Sequence, residues 1–199
     1  MQNRYLFLGD SFWGLNPGTG DLLADLLLTE YPTLPLAFNI QSSPRNHLED
    51  LYQRCARDII GKQAGTTLLC NGWEDLRGPA PIAQICEAYH RLVLEIQNNS
   101  QTKLFLTTFP DIQLSEDSIL RSKILVFNET VRAYHHTERT IVIDVAQEFA
   151  RYQTLQQNRG ALIRNLFAED AVLGPMGQML CARIVFPYFS RNAERFLLS

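Results

Sequence analysis

The chain has 199 residues, 46% of them hydrophobic and 20% charged, with a formal net charge of −3. That length suits a single domain, residues 1–199, whose core needs no disulfide or metal. The acidic balance argues against a polyanionic partner such as nucleic acid, and no apolar run nears the length that spans a bilayer, so no membrane association is expected.

Met1–Tyr5 leads into a first strand, Tyr5–Leu8, with no apolar leader, which predicts a cytoplasmic protein. Helical spacing of apolar residues follows over Asp21–Leu28, then a strand at Leu36–Ile40 and a helix over Asn46–Ile60. The third strand, Thr66–Cys70, precedes a helix over Pro81–Gln97, and Lys103–Thr107 precedes one over Ile119–Tyr134. Thr140–Asp144 is the fifth strand, and Leu173–Phe186 closes the chain as an apolar helix. Cys55, Cys70, Cys86 and Cys181 fall inside these apolar segments without a C-x-x-C pairing, so buried free thiols and a reducing compartment are expected.

Strands that alternate with helices require right-handed crossovers and a parallel sheet covered on both faces. The expected fold is therefore α/β: a three-layer α/β/α sandwich around a five-stranded parallel sheet in the doubly wound, flavodoxin-like order 2-1-3-4-5. Ligands of such sheets bind beyond the carboxyl ends of the strands, near the switch point between the first and third. The loops to inspect are Asp10–Gly20, Gln41–Arg45, Asn71–Pro79, Thr108–Ser118 and the stretch after the fifth strand.

Ser11 stands at the first of these strand ends, where Gly9 permits a sharp turn that exposes a hydroxyl. Two roles are open to it: a nucleophile, or a side chain that merely turns or caps the chain. Asp10 fixes that turn in either case.

Gly9-Asp10-Ser11 after the first strand, Asn71-Gly72-Trp73-Glu74-Asp75-Leu76 after the third, and Glu169-Asp170 leading into Leu173-Gly174-Pro175-Met176-Gly177 occur in an order that resembles the SGNH (GDSL-type) hydrolases over nearly the whole chain. The resemblance implies an α/β/α esterase, lipase, thioesterase or carbohydrate deacetylase that needs no cofactor or metal. It implies Ser11 as nucleophile and an oxyanion hole from the Ser11 N–H, a glycine after the second strand and an asparagine after the third. An Asp-x-x-His pair before the last helix completes the set.

Three of these signatures depart from the pattern. After the second strand there is no glycine, which leaves Ser42 or Ser43 to present a backbone N–H. After the third, Gly72-Trp73-Glu74-Asp75 puts a carboxylate where the family has an amide. An ionised Glu74 about 4 Å from a developing oxyanion costs roughly 4 kcal/mol at an effective dielectric of 20. The lost amide forgoes roughly 3 to 4 kcal/mol. Glu74 is thus protonated, turned away, or outside any oxyanion hole; Asn71 is a substitute amide or else a turn residue before Gly72. Finally, the family spacing from Asp170 puts the histidine at position 173, which is Leu173. A serine without a base is a poor nucleophile at neutral pH.

Topology places His135 and His136 at the opposite sheet edge and His90 mid-helix on a covering layer. His47 opens the helix after the second strand on the correct edge, and is the candidate base or a solvated first-turn residue. Asp170 then has no histidine to orient, and caps the final helix or relays a water. Trp13 and Trp73 either wall an aromatic pocket or cap the core. Arg45 and Arg77 are candidate anion ligands or partners of Glu74 and Asp75. Cys70 reads as an inert core thiol, and Asp144, three residues before Gln147, as a cap.

Catalytic candidates are Ser11, His47 and Asp170; binding candidates are Asp10, Trp13, Ser42, Asn71, Gly72, Trp73 and Glu74. Three functions follow: an ester or thioester hydrolase acting through Ser11, an inactive relative that binds a small ligand or protein partner, or a transferase using Glu74 as general acid or base.

Overall fold

The computed structural model describes residues 3–14, 17–43, 46–111, 118–134, 139–158, 166–168 and 172–197. Among them, strands β1 (Asn3–Gly9), β2 (Leu36–Ser42), β3 (Thr66–Cys70), β4 (Lys103–Thr107) and β5 (Thr140–Ile143) form one parallel sheet in the order β2-β1-β3-β4-β5. The helices are α1 (Thr19–Glu30), α2 (Leu48–Asp58), α3 (Trp73–Arg77), α4 (Ile82–Asn99), α5 (Ser118–Arg132), α6 (Val145–Asn158) and α7 (Pro175–Leu197).

Every residue of β3 is buried, and so are Leu104–Thr107 of β4, because a parallel sheet is covered on both faces. On one face α1 packs against α7 and α7 against α6; on the other, α2 packs against α4 and α4 against α5. The two layers follow from apolar stripes: Leu48, Leu51 and Cys55 are buried on α2, and Ile85, Tyr89, Leu92, Val93 and Ile96 on α4. No helix among the described residues is long and apolar enough to cross a membrane.

The expected sheet order holds, and three differences from the expected elements have physical causes. β1 and β2 run longer, since their pairing continues from Asn3 opposite Leu36 to Gly9 opposite Ser42. Helix α6 was not expected: only Val145 and Phe149 of its 14 residues are buried, too few to give an apolar period. Helix α7 continues through Pro187, which costs it one ladder hydrogen bond but does not end it. Of the four free cysteines, Cys55, Cys70 and Cys181 are buried as expected, whereas Cys86 is half-buried.

The register places Gly9 between Ser42 of β2 and Cys70 of β3. The chain therefore leaves β1 and β3 side by side, with Asp10 next to Asn71.

Candidate active site

After Gly9 the chain enters a single 3-10 turn, Ser11–Trp13, capped by Asp10, whose Oδ1 accepts the Phe12 N–H at 3.1 Å. The cap is thus the aspartate, and the serine hydroxyl is not spent on the turn. The other Asp10 oxygen accepts the N–H groups of Gly72 at 2.9 Å and Trp73 at 2.7 Å, so one fully buried carboxyl ties the loop after β1 to the loop after β3. Burial pushes this carboxyl up to about 8, against the pull of the three amides, with Glu74 adding slightly to the rise. Gly72 serves the same junction: its φ is +130°, and a Cβ there would lie 2.8 Å from the Phe127 ring.

The junction brings Glu74, in the first turn of α3, to Ser11: the Ser11 hydroxyl donates to Glu74 Oε1. The two residues are 63 positions apart in sequence. The side chain that departs from the family's amide is therefore turned toward the serine, and it accepts the hydroxyl's hydrogen bond.

Leu173 meets the same turn through its backbone. It is 2% exposed and donates its N–H to the Phe12 carbonyl at 3.1 Å. The segment is fixed by its own backbone: Ala168 N donates to Val172 O at 2.8 Å and Gly174 N to Leu166 O at 3.0 Å. Gln178 of α7 donates from Nε2 to the Leu173 carbonyl at 3.2 Å. Position 173 is thus hydrogen-bonded to the serine turn and carries an apolar side chain. Asp170 lies outside the described residues, as do Arg45, His135 and His136.

His47 does not join this group. It is the residue that opens α2, and its Nδ1 lies 3.5 Å from Asp75 Oδ1, the His47 side chain being 49% exposed. Asp75 also accepts the Leu48 N–H at 3.1 Å, so the pair caps α2; burial raises the Asp75 carboxyl, opposed by Leu48 and His47. No hydrogen bond among the described residues connects His47 with Ser11. His90 is exposed and hydrogen-bonds the Tyr134 hydroxyl, and Arg77 is exposed with no partner among the described residues.

Both tryptophans take the core-capping role. Trp13 is 3% exposed and Trp73 fully buried; they pack with Phe12 and Phe109 at centroid separations of 4.9–6.2 Å, so their rings underlie the loops and wall no open cleft. The hollow bounded by Gly9, Trp13, Ser42 and Cys70 holds about 10 Å³, room for one water. Ser42 lies beside Gly9, and Ser43 spends its N–H on the Gly9 carbonyl at 3.3 Å, next to the Asn46 amide at 3.1 Å. Asn71 is 1% exposed, and neither atom of its amide has a partner among the described residues. Burial pushes the Cys70 thiol far up, which makes it inert. Asp144 caps α6 through Gln147 N at 3.2 Å, as expected.

Sequence reasoning missed the Ser11–Glu74 bond. The only signal for it was the carboxylate at a position where the resemblance demands an amide.

No protein-family model and no curated protein matches the chain. Among solved structures it is similar to an α/β hydrolase enzyme from the metagenome of Lake Arreo, Spain, with a TM-score of 0.74 and 19% identity over 96% of this chain and 95% of that one. It is similar to an acetylxylan esterase from Geobacillus stearothermophilus, with a TM-score of 0.73 and 18% identity over 97% and 96% of the two chains. A protein placed in the lipolytic G-D-S-L family, from Desulfitobacterium hafniense, aligns with a TM-score of 0.69 and 16% identity over 93% and 98%. Identity this low at nearly full coverage speaks to architecture: the chain has the fold of the SGNH (GDSL-type) esterases.

Proposed function

We propose that the protein hydrolyses a small ester or thioester through Ser11, with Glu74 in the place of the imidazole. The observation that carries this reading is the hydrogen bond from the Ser11 hydroxyl to the Glu74 carboxylate. Attack of Oγ on the acyl carbon passes the serine proton to Glu74, which returns it to the departing alcohol or thiol; water then cleaves the acyl-serine by the same route. Positioned proton transfer of this kind contributes roughly 10²- to 10⁴-fold. Similarity to an acetylxylan esterase supports a short acyl group such as acetyl. The unpaired thiols of Cys55, Cys70, Cys86 and Cys181 support a cytoplasmic setting.

Hydrolysis of p-nitrophenyl acetate and labelling by a fluorophosphonate test the proposal. Both are expected to vanish in Ser11→Ala, and turnover to fall by about 10²-fold or more in Glu74→Gln. Turnover that survives either substitution overturns it.

A second reading, a ligand-binding derivative without turnover, is favoured by one observation: Leu173 is buried where the family's base belongs. Absence of both labelling and turnover in the unsubstituted protein selects it.

A further inference from the structure

The groove between α6 and α7 belongs to neither reading. It encloses about 430 Å³, within the range of small-molecule pockets. Ile143, Ile184, Pro187 and Tyr188 give it an apolar lining, and Arg183 and Arg191 give it charge. Residues 183, 187 and 191 follow one another at four-residue steps, so they share a stripe of α7, with the two arginines about 12 Å apart along the axis.

Both arginines are exposed and have no hydrogen bond or ion pair among the described residues. The acidic groups of the lining are already matched. Asp144 is held by Arg132 at 2.8 Å and by the Thr108 hydroxyl at 2.8 Å; burial alone would raise its carboxyl, but these partners bring it below the ordinary range. Glu148 has Arg151 at 3.8 Å. Among the described residues the groove thus keeps two guanidinium groups without an ion-pair partner beside an apolar surface. Pro187 has no N–H to offer the Arg183 carbonyl, so the helix leaves an acceptor there as well.

We infer that this groove binds a small amphiphilic anion, with a carboxylate on Arg183 or Arg191 and an apolar tail along Ile184 and Tyr188. A guanidinium fork matches a carboxylate in shape and charge. A neutral ligand of the same shape would leave both arginines unanswered. The inference does not rest on hydrolysis at Ser11.

Calorimetric titration with octanoate, and with octan-1-ol as the neutral comparator, tests it. Octanoate is expected to bind at one equivalent and to bind at least ten-fold more weakly to the Arg183→Gln/Arg191→Gln protein, whose exposed substitutions leave the fold intact by circular dichroism. Added sodium chloride should weaken the octanoate complex, and Ser11→Ala should leave it unchanged. The proposal is overturned by absence of octanoate binding, by equal affinity in the double variant, by octan-1-ol binding as tightly as octanoate, or by loss of binding in Ser11→Ala.

Discussion

The two walls around Ser11 are held in different ways. On the β1–β3 side a single buried side chain, Asp10, gathers three backbone N–H groups and so brings Glu74 to the serine. On the closing side, backbone bonds place residue 173 against Phe12 whatever its side chain. The first wall cannot change its aspartate without losing its geometry. The second is placed by backbone hydrogen bonds, which do not depend on the side chain that stands at 173.

Restoring side chains on both walls should give the largest effect. In the Leu173→His/Glu74→Asn protein, a base and an oxyanion donor return to positions the backbone already supports. Esterase activity should rise by about 10²-fold or more over the unsubstituted protein, since one such donor alone contributes roughly 10²- to 10³-fold. Activity that stays at the starting level would show that position 173 does not address Ser11, and the contrast between the walls would fail.

Next comes the backbone of the closing wall. A Cβ on Gly177 would lie 2.1 Å from the Leu166 carbonyl oxygen, a backbone atom that also receives Gly174 N. Gly177→Ala should therefore cost about 3 kcal/mol in chemical denaturation, at the upper end for overpacking. Gly72→Ala, strained by its positive φ and opposed by the Phe127 ring, should cost about 2 kcal/mol. A loss under about 0.5 kcal/mol at Gly177, as at an ordinary surface site, would mean that the closing wall is not fixed by its backbone.

The sheet was legible in the sequence because each strand is a short apolar run bounded by polar turns, and the order because doubly wound crossovers allow few alternatives. Loop side chains have no such period to constrain them. Trp13, in the 3-10 turn after β1, and Trp73, opening α3 after β3, sit at the strand ends where they were expected, yet the direction of each indole is set by Phe12 and Phe109, which only the folded chain brings together. The same holds for Ser11 and Glu74: resemblance fixed their neighbourhood, while the bond between them depends on Asp10 drawing Gly72 and Trp73 inward. Helix α6 was invisible for a different reason, its burial being confined to Val145 and Phe149.

A pH-dependent effect also separates the walls. Asp10 titrates at about 8 in the fold and at about 3.9 in an unfolded chain. Between these values the native state holds a proton that the unfolded state has lost. The contribution of Asp10 is therefore fully present below about pH 4, declines as pH rises toward 8, and is constant above it. The difference in unfolding free energy between this protein and Asp10→Asn should follow that course. A difference that does not vary between pH 4 and 8 would mean that the buried carboxyl is ionised throughout.

The smallest expected effect comes from His47→Ala. The imidazole is half-exposed and 3.5 Å from Asp75, so its loss should cost roughly 0.2–1 kcal/mol, as for other surface pairs. Asp75 keeps its bond to the Leu48 N–H, and α2 keeps its cap. Turnover and fluorophosphonate labelling should stay within about two-fold of the parent, because a base acts within hydrogen-bond reach of the proton it takes and His47 makes no such bond to Ser11. If labelling instead disappeared while the fold remained, the serine would be served from the β2 side, Glu74 would be a restraint on Ser11 rather than its proton acceptor, and the polar wall would hold the nucleophile without activating it.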